Sequence, residues 1–202
     1  MFPELARDEV FRLETRRLWL RWPRPADAEA LCELAGNPEA ACMTATLPHP
    51  CRIEDAEYFI RRSREEAARG EALRFVVTLK SLPRSVIGAI GVEPRDGLPQ
   101  LGYWLARSFR GMGYAREAAA AVTDAFFLLT GSEQLRAAVP PENTDSRGVL
   151  ENLGFAPVER PKLAPGIAAQ RAVLHFALPR GDWRGLGLAR LRPGAGFDRA
   201  II

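Results

Sequence analysis

The chain has 202 residues, 47% of them apolar and 26% charged, with a net charge of +3. That length fits one domain with short additions, and the apolar share allows a sizeable core. The basic excess is almost all Arg, interspersed with carboxylates rather than gathered on one tail or face, which speaks against a nucleic-acid module and leaves room for an anionic cofactor.

Residues 1–12 read as an extension. Leu13 to Arg21 contains a strand, with Leu18 and Leu20 alternating with Arg17, Trp19 and Arg21; Pro23 and Pro25 end it. Asp27 to Ala35 reads as a helix on the spacing of Ala28, Leu31, Leu34 and Ala35, and Gly36 stops it. Residues 37–52 form a loop carrying Pro38, Pro48 and Pro50. A second helix runs from Ile53 to Arg69, closed by Gly70; its run Arg61-Arg62-Ser63-Arg64-Glu65-Glu66 is a solvated face. Leu73–Leu79 and Val86–Val92 are strands, with Lys80 to Ser85 as the turn. Asp96-Gly97 turns the chain into a further strand, Pro99–Leu105. Both connections are short, so these strands pair antiparallel. Ala115 to Thr130 is an Ala-rich helix ended by Gly131, and Leu135–Val139 is a strand that the crossover makes parallel to 99–105. Thr144 to Asn152 is a short helix, and Phe155–Val158 and Arg171–Leu178 are the last strands. Residues 179–202, with five Gly and five Arg, read as an appended tail.

The stretch Arg110-Gly111-Met112-Gly113-Tyr114-Ala115 carries the chemistry. Glycines let a backbone approach an anion closely, and the first turn of the helix behind them leaves N–H groups unpaired. Together they make a phosphate or pyrophosphate site. A P-loop is excluded, because no Lys follows and the chain has only Lys80 and Lys162. A dinucleotide fingerprint is excluded, because Arg116 stands where its third Gly or Ala belongs and the loop lies past mid-chain. Arg-x-x-Gly-x-Ala remains, on Arg110, Gly113 and Ala115.

The three cysteines, Cys32, Cys42 and Cys51, are odd in number and lack Cys-x-x-Cys spacing, which fits a reducing compartment. Cys42, His49 and Cys51 match no common zinc spacing and have no apparent fourth ligand, so no metal is expected. No apolar run approaches a membrane span, and Met1-Phe2-Pro3-Glu4 lacks the pattern of a secretory leader; a cytoplasmic protein is expected.

Four segments share one resemblance. The Arg110–Ala115 loop, Leu13-Glu14-Thr15-Arg16-Arg17-Leu18-Trp19-Leu20-Arg21, Gln100 to Leu105, and Asn143 to Phe155 with Val149-Leu150-Glu151-Asn152-Leu153-Gly154-Phe155 resemble the GNAT acetyltransferase superfamily. Within it they are similar to the RimJ/RimL-like, ribosomal-protein-alanine acetyltransferase branch, over about residues 13–178. The resemblance implies an α+β fold: a mixed, mostly antiparallel sheet of about six or seven strands, about four flanking helices, and a splayed parallel pair formed by strands four and five. It also implies acetyl transfer from acetyl-CoA to a primary amine, a protein N-terminus or a small molecule, without a covalent enzyme intermediate. A monomer or homodimer with no membrane attachment is expected.

By the same resemblance, N–H groups from Gly111 through Met112, Gly113 and Tyr114 to Ala115 meet the coenzyme A pyrophosphate, with Arg110 adding charge and Arg107 and Arg116 as helpers. Backbone groups of Tyr103, Trp104 and Leu105 bond the pantetheine arm, and one N–H there serves as oxyanion donor. Asn143 contacts the arm, and Ser146 is the candidate acid; both also fit helix capping. Relatives often carry Tyr at the place of Leu150 and Glu at the place of Gln100. Leu cannot donate a proton and Gln cannot take one, so Gln100 is assigned to orienting water or the amine. The base candidates are Glu93 and His49, with Glu54 and Asp55 as alternatives. These departures keep a second reading open, an acyl-CoA-binding module of the same fold without turnover.

Overall fold

The computed structural model describes residues 12–35, 48, 50–159, 173–185 and 190–192. Within them one sheet of nine strands runs through the molecule. The strands are β1 (Arg12–Glu14), β2 (Leu18–Arg21), β3 (Leu73–Leu79), β4 (Leu82–Arg95), β5 (Leu98–Leu105), β6 (Gln134–Val139), β7 (Ala156–Val158), β8 (Leu174–Pro179) and β9 (Arg190–Arg192). Their spatial order is β7-β8-β6-β5-β4-β3-β2-β1-β9. Only β5 and β6 are parallel among the paired strands described. The α-helices among the described residues are α1 (Ala28–Ala35), α2 (Ile53–Ala68), α3 (Tyr114–Leu129) and α4 (Thr144–Asn152).

The helices lie on both faces of the sheet. Leu73, Phe75, Ile90, Val92, Leu101, Leu135, Ala137 and Val139 pack with α3 and α4 on one face. Val76, Ala89 and Trp104 pack with α1 and α2 on the other. The two sets alternate along each strand, as a period of two requires of a sheet covered on both sides. α3 is the central helix: its Ala-rich stretch from Ala118 to Phe127 is almost entirely buried, because small side chains let the helix sit close on the sheet.

The expected six or seven strands become nine. Leu13–Arg21 holds the expected strand as β2 and adds β1 ahead of it, because Thr15 turns the chain into a hairpin: its hydroxyl accepts from the Leu18 N–H at 2.9 Å. β9 adds a further strand outside β1. The 80–85 segment, expected as a turn, is a tight turn at Lys80-Ser81 followed directly by β4, and bulges opposite Val77–Leu79 absorb the extra residues. At the bulge Gly88 comes so close to β5 that a Cβ would lie 2.2 Å from the Trp104 carbonyl oxygen, which fixes glycine there. Beyond β8, Arg180 donates to the carbonyls of Phe127, Thr130 and Ser132, satisfying the end of α3, and Trp183 stacks on Phe127 while its Nε1 donates to Asp124 at 2.8 Å. Among the described residues no helix is long and apolar enough to cross a membrane.

Candidate functional site

The parallel pair β5/β6 defines the site. Its ladder holds only at Gln100↔Arg136 and Leu101↔Ala137. Past these residues the strands diverge, while β5 stays paired to β4 as far as Leu105. The result is a V whose apex is Gln100, Leu101, Arg136 and Ala137. One arm is the β6-facing edge of Gly102–Leu105, and its mouth opens toward the glycine loop that follows β5. A Cβ at Gly102 would meet nothing within 4 Å, which marks open space just beyond the apex.

At the mouth, Gly111 and Gly113 take φ values of +73° and +76°, in the left-handed region that favours glycine. Gly113 caps α3, and the first N–H of this turn engaged by the helix is that of Glu117, to the Gly113 carbonyl. The N–H groups ahead of it point out of the helix at its positive end. This arrangement suits a pyrophosphate. Arg110 donates its Nε to the Leu105 carbonyl at 3.1 Å and so ties the loop to the end of β5. Arg107 and Arg116 are exposed beside the loop, and Tyr114 and Ala115 are half-buried against the core.

Behind the loop sits a brace that the sequence did not reveal. Glu117, buried in the first turn of α3, accepts from the Thr15 hydroxyl (2.6 Å), the Arg17 N–H (2.7 Å) and Arg17 Nε (2.6 Å). The Arg17 guanidinium also donates to the Met112 carbonyl (2.9 Å) and lies over the Tyr114 ring at 4.4 Å. Burial works to raise the Glu117 pKa, but the three donors and the guanidinium charge outweigh it and hold the carboxyl below its ordinary value. Thr15 and Arg17 belong to the Leu13–Arg21 segment singled out above, so that segment serves to hold the loop from beneath. The sequence signal is a carboxylate, Glu117, at the head of the apolar run Ala118–Val122.

Across the V, the Tyr103 hydroxyl donates to the Ser146 carbonyl at 3.1 Å, linking β5 to α4. Burial pushes the Tyr103 phenol up to about 12, so it keeps its proton at neutral pH. Asn143 caps α4, its Oδ1 accepting from the Ser146 N–H at 3.1 Å. Trp104 is buried against α1 and α2, and Leu150 is fully buried in the core.

Glu93 faces α2 and is the neighbour of Gln100 across β4/β5. It belongs to a chain of charges: Arg62 to Glu66, Glu66 to Arg74, Arg74 to Glu93, and Glu93 to Arg95. Burial works to raise the Glu93 pKa, yet Arg74 and Arg95 outweigh it and hold it low. A cavity of about 350 Å³ lies over this chain, walled by Tyr58 and Phe59 of α2. Asp55 accepts from the Arg52 N–H at 2.9 Å as a helix cap, and Glu54 is exposed. His49 lies outside the described residues, as does Cys42. Cys32 donates to the Cys51 carbonyl, and burial raises the Cys51 thiol to about 12. Gln100 thus lies at the apex of the V with Glu93 beside it on the α1/α2 face, Tyr103 links to Ser146 and its cap Asn143 on the other face, and the glycine loop lies at the mouth.

A sheet splayed at one parallel pair, with a glycine-capped helix N-terminus at the mouth of the splay, is the architecture of an acyl-CoA-dependent transferase. The profile of the acetyltransferase (GNAT) domain matches residues 17–156, and the chain belongs to that family as an acetyl-CoA-dependent N-acetyltransferase. The uncharacterized N-acetyltransferase p20 of Bacillus licheniformis is 32% identical over 146 residues, 71% of this chain and 81% of that protein. The fold is also that of RimJ from Mycobacterium smegmatis, solved in complex with CoA-disulfide (TM-score 0.68, 24% identity, 95% of this chain and 100% of that one). Ribosomal-protein-S5-alanine acetyltransferase from Vibrio fischeri superposes with a TM-score of 0.67 at 21% identity, over 86% of this chain and 98% of that one.

Proposed function

We propose that the chain acetylates a primary amine, a protein N-terminus or a small-molecule amine, by direct attack on acetyl-CoA in a ternary complex. The observation that carries this is the continuous path from the Gly111/Gly113 loop, along the unpaired edge of β5, to the apex at Gln100 and Arg136. That M. smegmatis RimJ, which has the same fold, is in complex with CoA-disulfide supports coenzyme A as the ligand.

In this reading the N–H groups of Gly111 to Ala115 hold the pyrophosphate, with Arg107, Arg110 and Arg116 raising the local positive potential. The β5 edge at Tyr103, Trp104 and Leu105 pairs with the pantetheine amides as an added strand, and one of its N–H groups polarises the thioester carbonyl. Asn143 and Ser146, at the start of α4, face the arm from the other side, and the Ser146 hydroxyl supplies a proton to the departing thiolate. Gln100 orients the amine or a water. Glu93, kept at low pKa by two guanidiniums, is a poor proton acceptor and acts on the field of the apex. His49 is retained as a base candidate on its ordinary pKa alone.

The test is thiol release from acetyl-CoA with purified protein and a panel of amines and N-terminal peptides. Release with at least one acceptor is expected. Coenzyme A binding without release across the panel would replace this reading with the acyl-CoA-binding module.

A further inference from the structure

Arg136 has no role in the chemistry above, and its surroundings are unusual. Along β6, Leu135, Ala137 and Val139 enter the core under α3, so Arg136 points to the opposite face, the side of α1 and α2. It is registered with Gln100 on one side and Ala177 on the other. Gln100 in turn is registered with Glu93, so Glu93, Gln100 and Arg136 form one row across three strands on the face of α1 and α2. Gln100 and Arg136 are the members at the apex of the V. The Nε and Nη1 of Arg136 are buried and have no hydrogen-bond partner among the described residues.

Buried guanidinium N–H donors without a partner are unfavourable, and the usual remedy is a carboxylate. The closest carboxylate in the row cannot provide it. Both oxygens of Glu93 are engaged, one by Arg74 and the other by Arg95, and neutral Gln100 stands between. The apex therefore presents two unpaired guanidinium N–H donors beside open space at Gly102. We infer that Arg136 anchors the acceptor and that the acceptor carries a carboxylate within a few bonds of its amine.

This rests on the transferase reading and deepens it. A planar guanidinium takes a carboxylate through paired N–H donors, which fixes the direction of the attached amine. The same charge disfavours the ammonium form of that amine, so the acceptor loses its proton more readily at a site where residue 100 is Gln and not a carboxylate. Polyamines, which bring only positive charge, are disfavoured. The carboxylate has two sources, a small amino acid or an acidic side chain at the start of a protein.

The experiment compares matched acceptors in the thiol-release assay: free amino acids against their carboxamides, peptides beginning with Asp against those beginning with Asn, and spermidine. Each carboxylate acceptor that works is expected to exceed its amide by at least tenfold in kcat/KM. Arg136→Gln should erase that ratio with the Kd for coenzyme A unchanged, and Arg136→Lys should restore part of it. Preference confined to amino acids identifies a small molecule; preference confined to acidic peptides identifies a protein N-terminus. Equal rates with amides, or a ratio that survives in Arg136→Gln, overturns the inference. A second measurement needs no turnover: Arg136→Met, which removes the unpaired donors, should raise the ligand-free Tm by about 2–4 °C or more. A lowered Tm means that the guanidinium has a partner within the protein, and the inference falls. If no amine is acetylated, the transferase reading fails by itself. The anchor is then judged by whether the carboxylate probes, and not their amides, raise the Tm of the coenzyme A complex; no rise overturns it.

Discussion

Glu117→Gln tests how the coenzyme loop is held. The carboxylate takes three short hydrogen bonds, from the Thr15 hydroxyl, the Arg17 N–H and Arg17 Nε. Glutamine keeps one carbonyl oxygen for the first two donors but turns an N–H₂ group or a neutral oxygen toward Arg17 Nε. Hydrogen bonds to a charged group contribute roughly 1 kcal/mol more than neutral ones, so three of them give up to about 3 kcal/mol. The Arg17 side chain is 34% exposed, which screens its share and brings the figure to about 2 kcal/mol. For a domain of this size that is a fall in Tm of about 4–8 °C. Arg17, freed from its anchor, no longer fixes the Met112 carbonyl, and if about 1.4 kcal/mol of loop ordering is thereby transferred to binding, coenzyme A affinity falls roughly tenfold. Thermal melts and calorimetric titration of coenzyme A measure the two effects. A Glu117→Gln protein with unchanged Tm and unchanged Kd would refute the brace.

Acid stability follows from the same kind of carboxylate. Glu66, Glu93 and Glu117 all have folded pKa values below the ordinary 4.5, in each case because guanidinium and hydrogen-bond partners outweigh burial. The unfolded chain therefore binds more protons in that range; the stabilisation is present above the unfolded pKa and is lost as pH falls through the folded values. A Tm profile should drop steeply below about pH 4.5, and Glu93→Gln should make the drop shallower. Trp183→Ala removes the stack on Phe127 and the bond to Asp124 and should lower the Tm by about 4–8 °C, on about 2 kcal/mol for a partly buried aromatic. Asn143→Ala removes the cap of α4 and should cost about 1 kcal/mol in a denaturant melt.

Local signals gave most of the element order. Period-two alternation marked β2, period 3.6 and an Ala-rich composition marked α3, and Gly131 and Gly154 marked stops. The glycine loop was legible because its neighbours, strand before and helix after, are adjacent in sequence. What was not legible depends on distant pairs. Thr15 meets Glu117 across 102 residues, and nothing near Thr15 announces it. Arg136 reads as an ordinary outward residue of an alternating strand, and only the splay of β5 from β6 makes it the apex of a site. Glu66, read as part of a solvated helix face, is buried because Arg74 of the neighbouring strand reaches it.

The central claim is that the Gly111/Gly113 loop holds a pyrophosphate at the mouth of the V. Gly113→Val tests it most directly, since a β-branched residue at φ +76° is strained and its Cβ would approach Arg17 Nη2 to 3.4 Å. Calorimetric titration of the wild-type and variant proteins with coenzyme A, and with pantetheine, which lacks the pyrophosphate, is the measurement. Coenzyme A should bind the wild type and lose at least tenfold in the variant, while pantetheine binds both alike. Equal affinity of coenzyme A for the two proteins would contradict the account.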